Sequence, residues 1–137
     1  MNCIFCDIIN KKSEAEILFE NERVIAFLDI RPVNYGHTLV IPKSHYENFL
    51  TLPEDELCEL IRVTQNLSDA IVNSLSPGGF NIVTNNGMAA GQSVFHFHFH
   101  IIPRFKDDDF RFRPNLKKYN DGSMREYADK IRAAVEI

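Results

Sequence analysis

The sequence predicts an α+β domain in which a five-stranded antiparallel sheet carries one long helix and a C-terminal helix. Three observations point there. Five short runs of aliphatic and aromatic residues are bounded by Pro, Gly, Asn or charged tips, as strands are. After Phe49 the apolar residues change to helical spacing and hold it for several turns. In the run Phe95-His96-Phe97-His98-Phe99-His100-Ile101-Ile102 histidine alternates with apolar residues, which is the period of a strand. No repeat, low-complexity stretch or linker interrupts the chain, so one domain is expected over 1–137. With 45% hydrophobic and 25% charged residues, the composition is that of an ordinary globular protein able to bury a core.

Each element has a local reason. Cys3 to Asn10 reads as a short helix with Ile4, Phe5, Ile8 and Ile9 on its apolar side. Ile17–Glu20 and Val24–Leu28 form a hairpin about the polar tip Asn21-Glu22. Asp29 to Gly36 is a loop rich in Pro, Asn and Gly, and His37–Ile41 is a third strand stopped by Pro42. Thr51-Leu52-Pro53-Glu54 has the form of a capping box opening the long helix. Leu57, Leu60, Ile61, Thr64, Leu67, Ile71 and Leu75 then make one core-facing stripe, ended by Ser76-Pro77-Gly78-Gly79. Phe80–Thr84 is a fourth strand, and Asn85 to Ser93 a loop of small and polar residues. The histidine run is the fifth strand, closed by Pro103, with Phe95, Phe97, Phe99 and Ile101 on one face and three imidazoles on the other. Ser123-Met124-Arg125-Glu126 is a second capping box, opening a helix through Val135. One helix covers one face of such a sheet and leaves the other as a site or an oligomer interface.

Charge and cysteine usage narrow the function classes. A net charge of -4 argues against a protein that coats nucleic acid, though not against a small phosphorylated ligand. No apolar stretch is long enough to span a membrane and no signal-peptide core opens the chain, so a cytoplasmic protein is expected. Cys3, Cys6 and Cys58 do not make a disulfide scaffold. Cys58, among Leu57, Leu60 and Ile61, is expected to be buried and inert.

Two constellations carry chemistry. Cys3 and Cys6 form a CxxC; no βαβ unit precedes it, which disfavours a redox motif. A structural zinc ion wants four ligands in a tetrahedron, and His45 and His96 are the candidate third and fourth. The histidine run has two readings. Its imidazoles hold a catalytic metal, or a neutral imidazole attacks phosphorus while a neighbour handles protons. Gly91-Gln92-Ser93, with Asn85, Asn86 and Gly87 before it, places hydrogen-bond donors at the entrance of the strand. Donors of that kind suit phosphate oxygens and favour the second reading.

The segment Gly91 to Ile102 resembles the signature of the histidine triad (HIT) superfamily, His-φ-His-φ-His-φ-φ with φ apolar. Cys3-Ile4-Phe5-Cys6, Ala26 to Pro32 and Gly36 to His45 resemble further blocks of that family in the same order, covering about Cys3 to Arg104. The resemblance implies a HIT-like fold with its core over about 3–104 and a C-terminal extension over 105–137. It implies that His98 is the nucleophile, which attacks the α-phosphorus of a nucleotide. His100 then binds phosphate and assists proton transfer, and His37 supports the nucleophile. Ser93, Gln92 and Asn85 match phosphate or ribose contacts, Asp29 and Ile30 the ribose and base pocket, and Phe5 and Ile8 the wall beside the base. Cys3, Cys6, His45 and His96 match a structural Zn²⁺ site of microbial members.

The implied activity is hydrolysis of nucleoside phosphoramidates or dinucleoside polyphosphates through a nucleotidyl-histidine intermediate, releasing a nucleoside monophosphate. The implied ligand is a purine nucleotide resembling AMP, and the implied partner a second copy, with no nucleic acid and no membrane. A nucleotide-binding regulatory module with incidental turnover shares the same pocket. His100 stands where a uridylyltransferase-like branch has glutamine, which argues for hydrolysis. Asn85 resembles the phosphoramidase-like branch, whereas Ile102-Pro103-Arg104 and the tail from Phe105 to Pro114 resemble dinucleoside polyphosphate hydrolases and general microbial members. The chain has no tryptophan, so a C-terminal Trp motif that helps set specificity in some relatives is missing.

Overall fold

The hairpin forms around Asn21, whose side-chain oxygen accepts from the backbone N–H groups of Arg23 and Val24 at 2.9 and 2.8 Å. It joins β1 (Ile17–Glu20) to β2 (Val24–Leu28). The computed structural model, which describes residues 2–111 and 114–137, places before them α1 (Ile4–Ile9) and after them β3 (Thr38–Pro42). α2 (Glu54–Leu75), β4 (Gly79–Val83), β5 (Phe99–Arg104) and α3 (Ser123–Ala134) complete the chain, with short 3₁₀ turns at Phe49–Thr51 and Met88–Ala90. The sheet is antiparallel throughout, in the order β1-β2-β3-β5-β4. The expected α+β architecture is the observed one.

Alternation along the strands divides the core in two. Val24, Ala26, Val40, Phe97, Phe99 and Ile101 pack with Leu60, Val63 and Ile71 of α2. Ile25, Phe27, Leu39 and Ile41 face the other way and pack with Phe5 and Ile8 of α1. The buried hydroxyls of Thr64 and Ser68 are satisfied within α2, each donating to the carbonyl four residues back at 2.7 Å.

Several boundaries differ from expectation. Pro42 ends β3 from inside and Pro103 lies within β5. β3 and β5 pair only over Thr38–Val40 and Phe99–Ile101, so both prolines sit where their strand is paired on one side. The histidine run joins the ladder only at Phe99. Before that the chain bends: the Phe97 N–H goes to the Tyr46 carbonyl, and Phe95 is exposed instead of joining the apolar face.

Neither capping box has the expected role. Pro53 precedes α2 with no side-chain cap, while Thr51 closes a box with Asn48 around the 3₁₀ turn. Gly122, at φ +77°, precedes α3, and Ser123 donates back to the Asn120 carbonyl. In α2, Val63 joins the core, while Ile61 and Leu75 are half exposed and Cys58 is exposed. No residue of α3 is buried. Of the tail whose resemblance was noted, Phe112 and Arg113 lie outside the described residues. Among the described residues no helix is long and apolar enough to cross a membrane.

The loop between β2 and β3 is butted against α2. Gly36 takes φ +94°, and a Cβ there would run into Leu75 Cδ1. This close approach seats the loop that leads into His37.

Candidate functional site

Two clusters lie on the sheet face away from α2. The first gathers Cys3 and Cys6 from either end of the first turn of α1, His45 from the turn after β3, and His96 from the bend before β5. Cys6 Sγ is 3.4 Å from His45 Nδ1 and 3.6 Å from His96 Nδ1, and Cys3 Sγ is 3.6 Å from the same His96 atom. A tetrahedral zinc ion with ordinary Zn–S and Zn–N bonds separates its S and N ligands by about 3.6 Å, so the four residues fit such an ion. His96 Nε2 lies 2.8 Å from the Pro42 carbonyl, which can only accept. Nε2 therefore carries the hydrogen, and Nδ1 turns a lone pair toward the sulfurs. Burial pushes the His96 imidazole down to about 4, keeping it neutral as a ligand must be. Burial and the neighbouring Cys3 push the Cys6 thiol up to about 11, so a cation is what would ionise it. The four residues expected as ligands are thus brought together and could hold a metal ion.

The second cluster is a chain of imidazoles with fixed hydrogens. His98 Nδ1 is 2.7 Å from the His96 carbonyl and donates to it, leaving Nε2 with a free lone pair in the neutral ring. The Val33 N–H donates to His37 Nδ1 at 3.0 Å, so the His37 hydrogen is on Nε2. That hydrogen goes to His100 Nδ1 at 2.9 Å, which leaves His100 with an Nε2–H of its own. Burial lowers all three imidazoles, His100 to about 4 with the neighbouring His98 and His37 adding to it. At neutral pH the set is uncharged. Asp29 Oδ2 lies 3.7 Å from His37 Nε2 and opposes the shift.

The three histidines of the run do not converge on one point. His96 turns to the sulfurs, and His98 is tied to a carbonyl. Asp29, His37 and His100 also group closely, but 2.9 Å between two imidazole nitrogens is a hydrogen bond. It is shorter than the separation of about 3.3 Å that a tetrahedral metal would impose on two nitrogen ligands.

His98 and His100 open into a cavity of about 370 Å³. Phe5, Ile8, Leu39 and Val94 give it an apolar wall, and Asp29, Ile30 and Arg31 line it from the loop after β2. Ser93 and Glu14 line it too. The edge of Phe5 meets the His98 ring at 5.1 Å between centroids. Of the residues expected at the substrate, Phe5, Ile8, Asp29, Ile30, Ser93, His98 and His100 line this cavity. His37 is buried behind His100, and its hydrogen bond goes to His100.

Gln92 and Asn85 do not line the cavity. Gln92 is buried with its amide committed: the oxygen accepts from the Gly87 N–H, and the nitrogen donates to the Glu47 and Val94 carbonyls. Asn85 is half-buried. Leu39 and Val94 were missed, although Leu39 shares the strand face of His37 and so had a signal. Glu14 had none, since the segment between α1 and β1 has no periodicity.

With the geometry in hand, known proteins give a consistent picture. The model of the HIT domain matches residues 10–107. An uncharacterised HIT-like protein of Methanocaldococcus jannaschii is 53% identical over 106 residues, 77% of this chain and 81% of that protein. Two similar proteins carry named activities. An adenylylsulfatase of Arabidopsis thaliana is 36% identical over 87% of this chain and 60% of its own length. An adenosine 5'-monophosphoramidase of Candida albicans is 37% identical over 78% of this chain and 72% of its own. The crystal structure of a HIT-family member from Bacillus subtilis superposes with a TM-score of 0.93 at 37% identity, covering 100% of this chain and 99% of that one. A zinc-bound histidine triad protein from Mycobacterium smegmatis superposes with a TM-score of 0.77 at 35% identity, covering 98% and 99%.

Proposed function

The chain belongs to the HIT family, and on that premise we propose that it is a nucleotide-binding hydrolase acting at the α-phosphate through His98. Its substrates are nucleoside phosphoramidates or dinucleoside polyphosphates, and its product is a nucleoside monophosphate. The observation that carries the reading is the bond from His98 Nδ1–H to the His96 carbonyl at the cavity edge. It commits the other nitrogen, Nε2, to act as a lone-pair nucleophile. The named activities of the Arabidopsis and Candida relatives support the class. Both names describe an adenylyl group joined to a different leaving group.

In this reading the base, a purine, lies against Phe5 and Ile8, and the ribose meets the loop of Asp29 and Ile30. Ser93 and the His100 Nε2–H hold phosphoryl oxygens, and His37 holds His100 in the tautomer that presents that hydrogen. The His98 Nε2 lone pair forms a P–N bond while the bond from phosphorus to the leaving group breaks. The leaving group departs with its electron pair and takes up a proton, with His100 assisting. Water then attacks phosphorus, the P–N bond breaks, and the monophosphate leaves as His98 recovers its lone pair. Gln92 acts on the phosphate only through the loop its amide ties down.

Cys3, Cys6, His45 and His96 are the ligands of a structural Zn²⁺, supported by their fit to a tetrahedron and by the zinc-bound neighbour. When bound, the ion supplies a rigid cross-link between α1 and the sheet. A second copy of the chain is the expected partner. Ile61 and Val72 of α2 and Phe80 and Ile82 of β4 line one apolar face and are each more than a third exposed, a surface that a homodimer would cover.

The deciding experiment is His98→Ala assayed on an adenosine phosphoramidate and on a diadenosine polyphosphate. Hydrolysis of both is expected to be lost, with AMP binding within a few-fold of wild type. Wild-type turnover in that variant would remove the covalent mechanism.

A further inference from the structure

We propose that His96 makes the Cys/His site a positioning site for His98, so that the ion it holds sets the tautomer and aim of the nucleophile as well as fastening the N-terminus. The proposal rests on the reading that His98 attacks phosphorus, and three observations carry it.

The first is that one residue serves both clusters. The His96 side chain offers Nδ1 to the sulfurs of Cys3 and Cys6, while the His96 main-chain carbonyl accepts from His98 Nδ1 at 2.7 Å. The second is that this carbonyl belongs to a segment outside the sheet. β5 pairing begins at Phe99, and the bend before it is held by the Phe97 N–H on the Tyr46 carbonyl and by His96 Nε2 on the Pro42 carbonyl. Tyr46 directly follows His45, so one of these two anchors springs from the neighbour of a ligand. The third is the aromatic contact. Phe5 lies between Cys3 and Cys6 in sequence, and its ring meets His96 at 5.9 Å and His98 at 5.1 Å between centroids.

Backbone, bend and aromatic wall around His98 therefore all lead back to the same four ligands. With the ion gone, α1 is joined to the two imidazoles at this site only by sulfur–nitrogen contacts of 3.4–3.6 Å, which are weak, while His96 keeps its Nε2 bond to Pro42. The segment of His45 and Tyr46 then loses its tie to α1, so the Tyr46 carbonyl that anchors the Phe97 N–H shifts and takes with it the His96 carbonyl of the same peptide, and the His98 ring exchanges tautomers. A displacement of the reacting atom by about 1 Å costs on the order of 10²-fold in rate.

The test compares zinc-loaded protein, chelator-stripped protein, protein refilled with zinc, and protein refilled with the larger cadmium ion. Each is read by ¹⁵N NMR of the labelled imidazoles at one pH, by kcat and KM on an adenosine phosphoramidate, and by circular dichroism. Loaded protein is expected to show His98 as a single Nδ1–H tautomer. Stripped, folded protein is expected to show averaged His98 nitrogens and a kcat at least tenfold lower, both restored by zinc. Cadmium, which keeps the fold, is expected to shift the His98 nitrogens and change kcat more than KM. If stripping unfolds the chain, the cadmium form alone decides. His98 nitrogens and kcat identical in the zinc and cadmium forms, or in the stripped and loaded forms, overturn the proposal. Full turnover by His98→Ala would instead overturn the reading beneath it.

Discussion

The two faces of the sheet are made by alternate residues of the same strands, yet they are built for different ends. Toward α2 the inward positions of β2, β3 and β5 are apolar except Thr38, and the buried hydroxyls of Thr38, Thr64 and Ser68 are each closed off on a carbonyl of their own neighbourhood. Toward α1, the apolar residues Ile25, Phe27, Leu39 and Ile41 share their face with His37, His98 and His100 and with an open cavity. Each imidazole there is neutral and hydrogen-bonded to a partner that leaves one nitrogen assigned, His37 and His98 buried and His100 half-buried. The first face excludes water and supplies stability. The second tolerates a cavity and buried polar rings because the first is packed against a 22-residue helix.

The contrast is most easily broken from the packed side. Phe97→Ala empties the core beside α2 and is expected to cost about 3–5 kcal/mol, read as a shift in the urea midpoint. A loss below about 1 kcal/mol would mean that the two faces do not divide the work in this way.

Acidification tests the other face. Burial holds His100 at about 4 and lowers His37, whereas both have an ordinary value of 6.5. Between those values the unfolded chain binds more protons than the folded one, so stability rises with pH and falls as pH drops from about 6.5 toward 4. His100 alone would contribute on the order of 3 kcal/mol across that window. His100→Gln should flatten the fall in urea midpoint between pH 7 and 4.5. An unchanged slope would show that the imidazole is solvated.

Gln92 separates a ligand contact from a strap. Its amide is committed to three backbone groups, so Gln92→Ala is expected to lower stability by about 1–3 kcal/mol and to raise KM only through the loop that carries Ser93. Unchanged stability with a large loss of phosphate affinity would restore it as a direct contact. The smallest effect belongs to Thr51→Ala. Because Thr51 caps the 3₁₀ turn and not α2, helix content should hold and stability fall by about 0.5 kcal/mol.

Legibility followed the same division. The helical stripe around Leu60, Thr64 and Ile71 was readable because burial repeats with the period of the helix, and Val24–Leu28 because a short continuous apolar run between polar tips is a strand buried on both faces. Pro103 was misread as closing its strand, and Pro42 was set one residue outside the strand it ends, because nothing local reveals that a strand is paired on one side only. The run Phe95–His98 was read as ladder because alternation survives a bend; what diverts it is a hydrogen bond to Tyr46, remote in sequence. Cys3, Cys6, His45 and His96 were legible as ligand types, but their convergence needed the fold. Gln92 was illegible in principle, since an amide in a polar loop looks the same whether it faces a phosphate or a backbone.

The separation between Cys3 and His96, 93 positions along the chain, has a consequence for how the molecule comes into being. Closing a loop of that length is entropically slow, and contacts of high sequence separation form late. During synthesis Cys3, Cys6 and His45 emerge first, and the fourth ligand arrives only with the two histidines that open into the cavity. The residues that would trap an ion and those that would attack a phosphate are thus completed in the same few steps of elongation. A chain unable to finish its sheet has neither.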